Sequence, residues 1–95
     1  MPTDAPAIDP RRKRLIFRSW HRGTKEMDLL MGSFADMHLP TLTEAEVDAY
    51  EALLLEQDPD VYDWILGRAE VPPAHDTRVM ALLRDHRYAG APTRA

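Results

Sequence analysis

Apolar residues recur along this chain at steps of three and four, and nowhere do they alternate with polar ones for long enough to make a strand. The clearest stripe is Met27, Leu30, Met31, Phe34 and His38, which share one face of a helix. Val47, Tyr50, Leu53 and Leu54 form a second stripe, Val61, Trp64 and Ile65 a third, and Val79, Leu82, Leu83 and His86 a fourth. Ahead of them Leu15, Ile16 and Trp20 supply the inward side of a first helix. A methionine stripe can mark an adaptable binding surface, but in so short a chain it is read first as core.

The ends of these stripes carry start and stop signals. Asp9-Pro10 and Asp58-Pro59 each place a carboxylate cap before a proline suited to the first helical turn. Helix 1 is expected to run from there to about Arg22. Thr24 caps helix 2, with Glu26 and Asp28 complementing its dipole, and Pro40 ends it. Thr43-Glu44-Ala45-Glu46 is a capping box opening helix 3, with Leu42 and Val47 as its hydrophobic staple. Glu44, Asp48, Glu51 and Glu56 fall on its wet side. Gly67 closes helix 4, Glu70-Val71-Pro72-Pro73 makes a rigid connector, and helix 5 starts near Ala74. The expected fold is all-α, a compact bundle of five short helices. It forms one domain over residues 9–88, between a disordered tail of residues 1–8 and a flexible one of residues 89–95.

Composition narrows the function. Ninety-five residues, 44% of them apolar, support one modest core, and the absence of cysteine excludes disulfides, zinc–thiolate sites and a cysteine nucleophile. No apolar run is long enough to insert in a membrane. Asp4, Asp9 and three prolines within the first ten residues resemble neither a signal nor a transit peptide. A cytoplasmic protein of a bacterium is therefore expected, ahead of one in the mitochondrial matrix. The net charge of −4 conceals an asymmetry: residues 1–26 hold seven Lys/Arg against three Asp/Glu, and residues 27–65 hold ten Asp/Glu and no cation. Such a dipole suits oriented encounter with a charged partner, and the acidic balance argues against nucleic acid. The cluster Arg11-Arg12-Lys13-Arg14 lies where the helix dipole disfavours cations and is read as a solvated face.

Catalytic chemistry has no visible carrier. There is no P-loop, dinucleotide fingerprint or nucleophile elbow, and His21, His38, His75 and His86 sit in separate segments with no ligand spacing. No metal site and no enzymatic activity are expected. What stands out is the turn Arg22-Gly23-Thr24-Lys25-Glu26 between the first two helices. Gly23 permits a tight, left-handed bend there. Arg22 brings a planar fork for carboxylates or carbonyls. Glu26 could orient that arginine or accept from a partner's cation. His21 and Trp20 add amphipathic aromatic surface of the kind enriched at interface hot spots, although core filling is the plainer reading of the indole.

Arg22-Gly23-x-x-Glu26, with Asp28 and Phe34 behind it, resembles the RGxxE motif of the SdhE-type succinate dehydrogenase assembly factors. The flanks are similar too: Lys13-Arg14-Leu15-Ile16-Phe17, Leu42-Thr43-Glu44 through Leu54, Asp58-Pro59-Asp60-Val61-Tyr62-Asp63-Trp64 and Val79-Met80-Ala81-Leu82-Leu83-Arg84, in the family's order over residues 12–87. The resemblance implies a five-helix bundle that binds the flavoprotein subunit of succinate dehydrogenase and promotes its covalent attachment of FAD. Fumarate reductase is a second candidate client, and the free protein is expected to be a monomer. It implies that Arg22, Gly23 and Glu26 contact the flavoprotein, with Asp28 next and His21 and Trp20 beside them. It also implies that FAD stays on the partner and is not held by this chain. The alternative is a small regulatory or antitoxin-like binding module with a different client.

Overall fold

The computed structural model describes residues 8–90, the side chains of 87–90 excepted. The expected N-terminal tail, apart from Ile8, and most of the C-terminal one lie outside the described residues. Five α-helices are present and, among the described residues, no strand, as the spacing of apolar positions requires: α1 Pro10–Ser19, α2 Lys25–His38, α3 Glu44–Leu54, α4 Asp58–Leu66 and α5 Arg78–Gly90. By its internal contacts the chain divides into two units, one ending at Thr43 and the other beginning at Glu44.

In the first unit, α1 and α2 pack together. Asp9 caps α1 by accepting from the Arg12 amide at 2.8 Å, with Pro10 in the first turn. Leu15 and Ser19 are buried, and the Ser19 hydroxyl donates to the Leu15 carbonyl at 2.7 Å, which satisfies it. Ile16 and Trp20 are half-buried. The helix stops at Ser19, three residues before Arg22: the Trp20 amide is shared between the carbonyls of Ile16 and Phe17, and the His21 amide turns to Arg18 in a 3-10 bond.

α2 opens as expected on Thr24, whose hydroxyl accepts from the Met27 amide at 3.2 Å. Met27, Leu30, Met31 and Phe34 are buried, joined by Gly32 and Ala35, while His38 is half-buried with its ring 4.6 Å from that of Phe34. A 3-10 turn, Leu39–Thr41, follows, with Leu39 buried within it. The basic cluster of α1 is not uniformly solvated. Arg12 is 11% exposed and donates from Nη1 to the carbonyls of Leu39 at 2.8 Å and Pro40 at 3.4 Å, tying α1 to the chain that leaves α2. A cation on carbonyls at the end of a helix is favoured by the dipole, which explains why this arginine folds inward.

In the second unit α3 begins at Glu44, and Val47, Tyr50, Leu53 and Leu54 are buried. Glu46 Oε2 accepts from Arg78 Nη1 at 2.6 Å and links the start of α3 to that of α5. α4 begins one residue earlier than expected, so Asp58 is its first helical residue and Gln57 takes the cap position without a side-chain bond. Val61, Trp64 and Ile65 are buried. Gly67 closes the helix at φ 79°, and the Arg68 amide returns to the Asp63 carbonyl at 2.8 Å.

Helix 5 departs most from expectation. Pro73–His75 form a separate 3-10 turn and α5 starts only at Arg78. His75 is held back by Glu56, Nε2 to Oε2 at 2.8 Å, and by Trp64, its ring 5.4 Å from the indole. Met80 takes the buried place expected of Leu82, alongside Val79, Leu83 and His86. No helix among the described residues is long and apolar enough to cross a membrane.

Candidate functional site: the turn between the first two helices

Between Trp20 and Lys25 the backbone belongs to neither helix, and every residue from Arg22 to Thr24 sits in a bend. Gly23 has φ 125° and nothing within 4 Å of where a Cβ would stand. The glycine is thus required by backbone conformation, not by space. It lies beyond the α1 cap Trp20 and directly before the α2 cap Thr24.

Asp28 sets the shape of this bend. Its Oδ1 accepts from the amides of Arg22 at 2.6 Å and Gly23 at 3.2 Å. One carboxylate oxygen therefore gathers two consecutive N–H groups that neither helix can use, an arrangement well suited to an anion. The protein supplies that anion itself. A phosphate seeking the same amides would find Asp28 already there, so this loop is not built to cradle one.

Around the bend the side chains sort by role. Lys25 and Glu26 are exposed on the first turn of α2, and Arg22 is half-buried. His21 is exposed, stacks on Phe17 with ring centroids 4.1 Å apart, and has Nδ1 2.7 Å from the Phe17 carbonyl oxygen. A carbonyl only accepts, so Nδ1 carries the proton and Nε2 is the atom turned to other partners. Trp20 turns away from solvent on one side and donates from Nε1 to Asp36 Oδ2 at 3.2 Å. An open depression of about 550 Å³ lies beside the turn, lined by Trp20, His21, Gly23, Thr24, Lys25, Asp28 and Leu29.

All six residues singled out in the sequence, Trp20, His21, Arg22, Gly23, Glu26 and Asp28, thus fall on one turn and its flanks. Two more were not anticipated. Phe17, 63% exposed, carries His21, and Leu29, 40% exposed, walls the depression. Their signal was present in the pattern, since neither fits the buried stripe of its helix. Among the described residues no group of three or more His, Cys, Asp or Glu is placed to hold a metal ion.

The described residues are all-helical, and their exposed charged and aromatic side chains gather on one fixed turn. Comparison with known proteins supplies the family. The family model described as the flavinator of succinate dehydrogenase matches residues 13–87, and the chain belongs to this family. It is 44% identical over 79 residues to the mitochondrial succinate dehydrogenase assembly factor 2 of Dictyostelium discoideum, covering 83% of this chain and 56% of that one. It is 45% identical over 67 residues to the mitochondrial protein of the same name from Candida glabrata, covering 70% and 44%. With the FAD assembly factor SdhE of Acetobacter pasteurianus it shares 40% identity over 70 residues, covering 74% and 64%. The chain spans about half the length of the mitochondrial relatives it matches. The expected bacterial cytoplasmic location is overturned by these relatives, which are named as mitochondrial proteins. The acidic, proline-bearing first ten residues were its only ground, and composition there does not report the compartment.

Proposed function

We propose that this chain is an assembly factor that binds the flavoprotein subunit of succinate dehydrogenase and promotes covalent attachment of FAD to it. Family membership supports the client and the process. The observation that carries the site is the Asp28-held turn, which fixes the backbone of Arg22 and Gly23 before any partner arrives. A surface ordered in advance loses less freedom on binding.

The flavin chemistry belongs to the client, and this chain acts by binding. It favours the flavoprotein conformation in which the flavin and its attachment residue meet, by no more than its difference in affinity for the client's conformations. Arg22 offers the planar donor fork for a carboxylate or carbonyl of the client, and Glu26 the complementary acceptor. His21 and Trp20 flank that contact with aromatic surface. The chain holds no FAD of its own and needs no catalytic group. The free chain is monomeric, and fumarate reductase flavoprotein is a second client of the same turn. Withdrawal of Arg12 onto backbone carbonyls also weakens the case for a basic nucleic-acid surface on α1.

The test is covalent flavin fluorescence of the flavoprotein after denaturing electrophoresis, with this chain supplied or withheld. Arg22→Ala is expected to melt within about 0.5 kcal/mol of wild type, as substitutions away from the core do. It should nonetheless lower complex formation and the fluorescent band together. A band of wild-type intensity with this variant would remove Arg22 from the site.

A further inference from the structure

Glycine in the middle of α2 is out of place by helix propensity and calls for a reason. At Gly32 the reason is Trp20. A Cβ there would overlap Cδ2, Cε2 and Cε3 of the indole, so the ring lies directly against the bare backbone of α2. The same indole donates from Nε1 to Asp36. Two residues further along the chain, the amides of Arg22 and Gly23 are gathered by Asp28. Asp28, Gly32 and Asp36 are spaced i, i+4, i+8 and share one face of α2. That face is a track with an acceptor at each end and a gap in the middle. The segment leaving α1 is laid along it and pinned twice.

We infer that Trp20 is a positioning residue that sets the pose of Arg22, with Gly32 and Asp36 as its seat. This rests on the reading of the turn as the client-binding site and adds to it a group that acts through the turn. Trp20 was first read as partner surface or as core filling, and its contacts assign it neither role alone. Asp28 fixes the backbone at the far end of the bend and Trp20 fixes the near end. Without the indole contact, Arg22 would still be joined to α2 through Asp28, but its direction of approach would be free to swing.

Two variants disturb the seat from opposite sides. Gly32→Ala puts a methyl group under the ring, and Asp36→Ala removes the acceptor on an exposed residue. Asp36→Asn keeps an acceptor and serves as the conservative control. Affinity for the purified succinate dehydrogenase flavoprotein should fall roughly tenfold for Gly32→Ala and less for Asp36→Ala, with Asp36→Asn near wild type. In an Arg22→Ala background Gly32→Ala should cause little further loss, because the seat acts through Arg22. Equal losses in both backgrounds would overturn the inference and leave Trp20 a packing residue. Amide chemical shifts supply an arm that does not depend on the client: those of Arg22 and Gly23 should move in Gly32→Ala and Asp36→Ala and hold in Asp36→Asn. Unmoved shifts would sink the positioning role. An Arg22→Ala variant that binds the flavoprotein normally would count against the client-binding reading instead, and the shifts would still decide the seat.

Discussion

Gly23 shows how much of the site rests on single backbone angles. At φ 125° with no neighbour within 4 Å, a side chain would meet open space yet an unfavourable conformation. Gly23→Ala and Gly23→Val should therefore destabilise by similar amounts, on the order of 1–3 kcal/mol, in urea unfolding. A much larger loss for valine would point to crowding and contradict the open surroundings. The glycine and its arginine were legible in the sequence because a helical stripe ends before them and another begins after. Asp28's role was not, since a carboxylate in the first turns of a helix reads equally well as a complement to the dipole. Only the folded turn shows its oxygen turned back to Arg22 and Gly23. Gly32 went unread although a glycine within an apolar helical stripe was itself the clue.

Among the elements, α2 through α4 lie close to where their stripes put them, and at α2 the cap residue agrees with the periodicity as well. α5 does not. Pro72-Pro73-Ala74 satisfies the local rules for a helix start, but His75 is drawn to Glu56 and Trp64, and the helix waits until Arg78. A contact nineteen residues apart in sequence overrides local preference, and no window of neighbours reveals it. The end of α4 offers a quantitative check. Arg84 donates from both Nε and Nη2 to the Trp64 carbonyl, at 3.1 and 2.9 Å. Arg84→Met keeps much of the aliphatic packing and removes both donors, and should lower stability by about 1–2 kcal/mol in chemical denaturation. An unchanged midpoint would mean that water replaces the guanidinium without loss.

Over the whole molecule, charge is the property that sequence alone conveys best. The basic excess of residues 1–26 and the ten carboxylates of residues 27–65 leave the chain strongly polarised. Association with the flavoprotein should accordingly slow as salt rises through the range where the Debye length falls below about 10 Å, while dissociation changes little. Stopped-flow rates at several ionic strengths would show it, and a flat association rate would mean that charge does not steer the encounter. The number of helices was accessible from residue order and spacing, and the family from the resemblance of its segments. The compartment was not, because the composition of a short segment does not report it.

The chain has two tryptophans, and the contact units hold one each: Trp20 half-buried against α2, Trp64 8% exposed beside His75. The molecule thus carries its own pair of optical probes. Trp64→Phe would leave Trp20 as the sole indole emitter, one residue from His21 and two from Arg22. Its emission should shift when a client covers the turn, so that occupancy can be followed by light without any added label. An emission maximum that does not move on complex formation would place the client's footprint away from the indole.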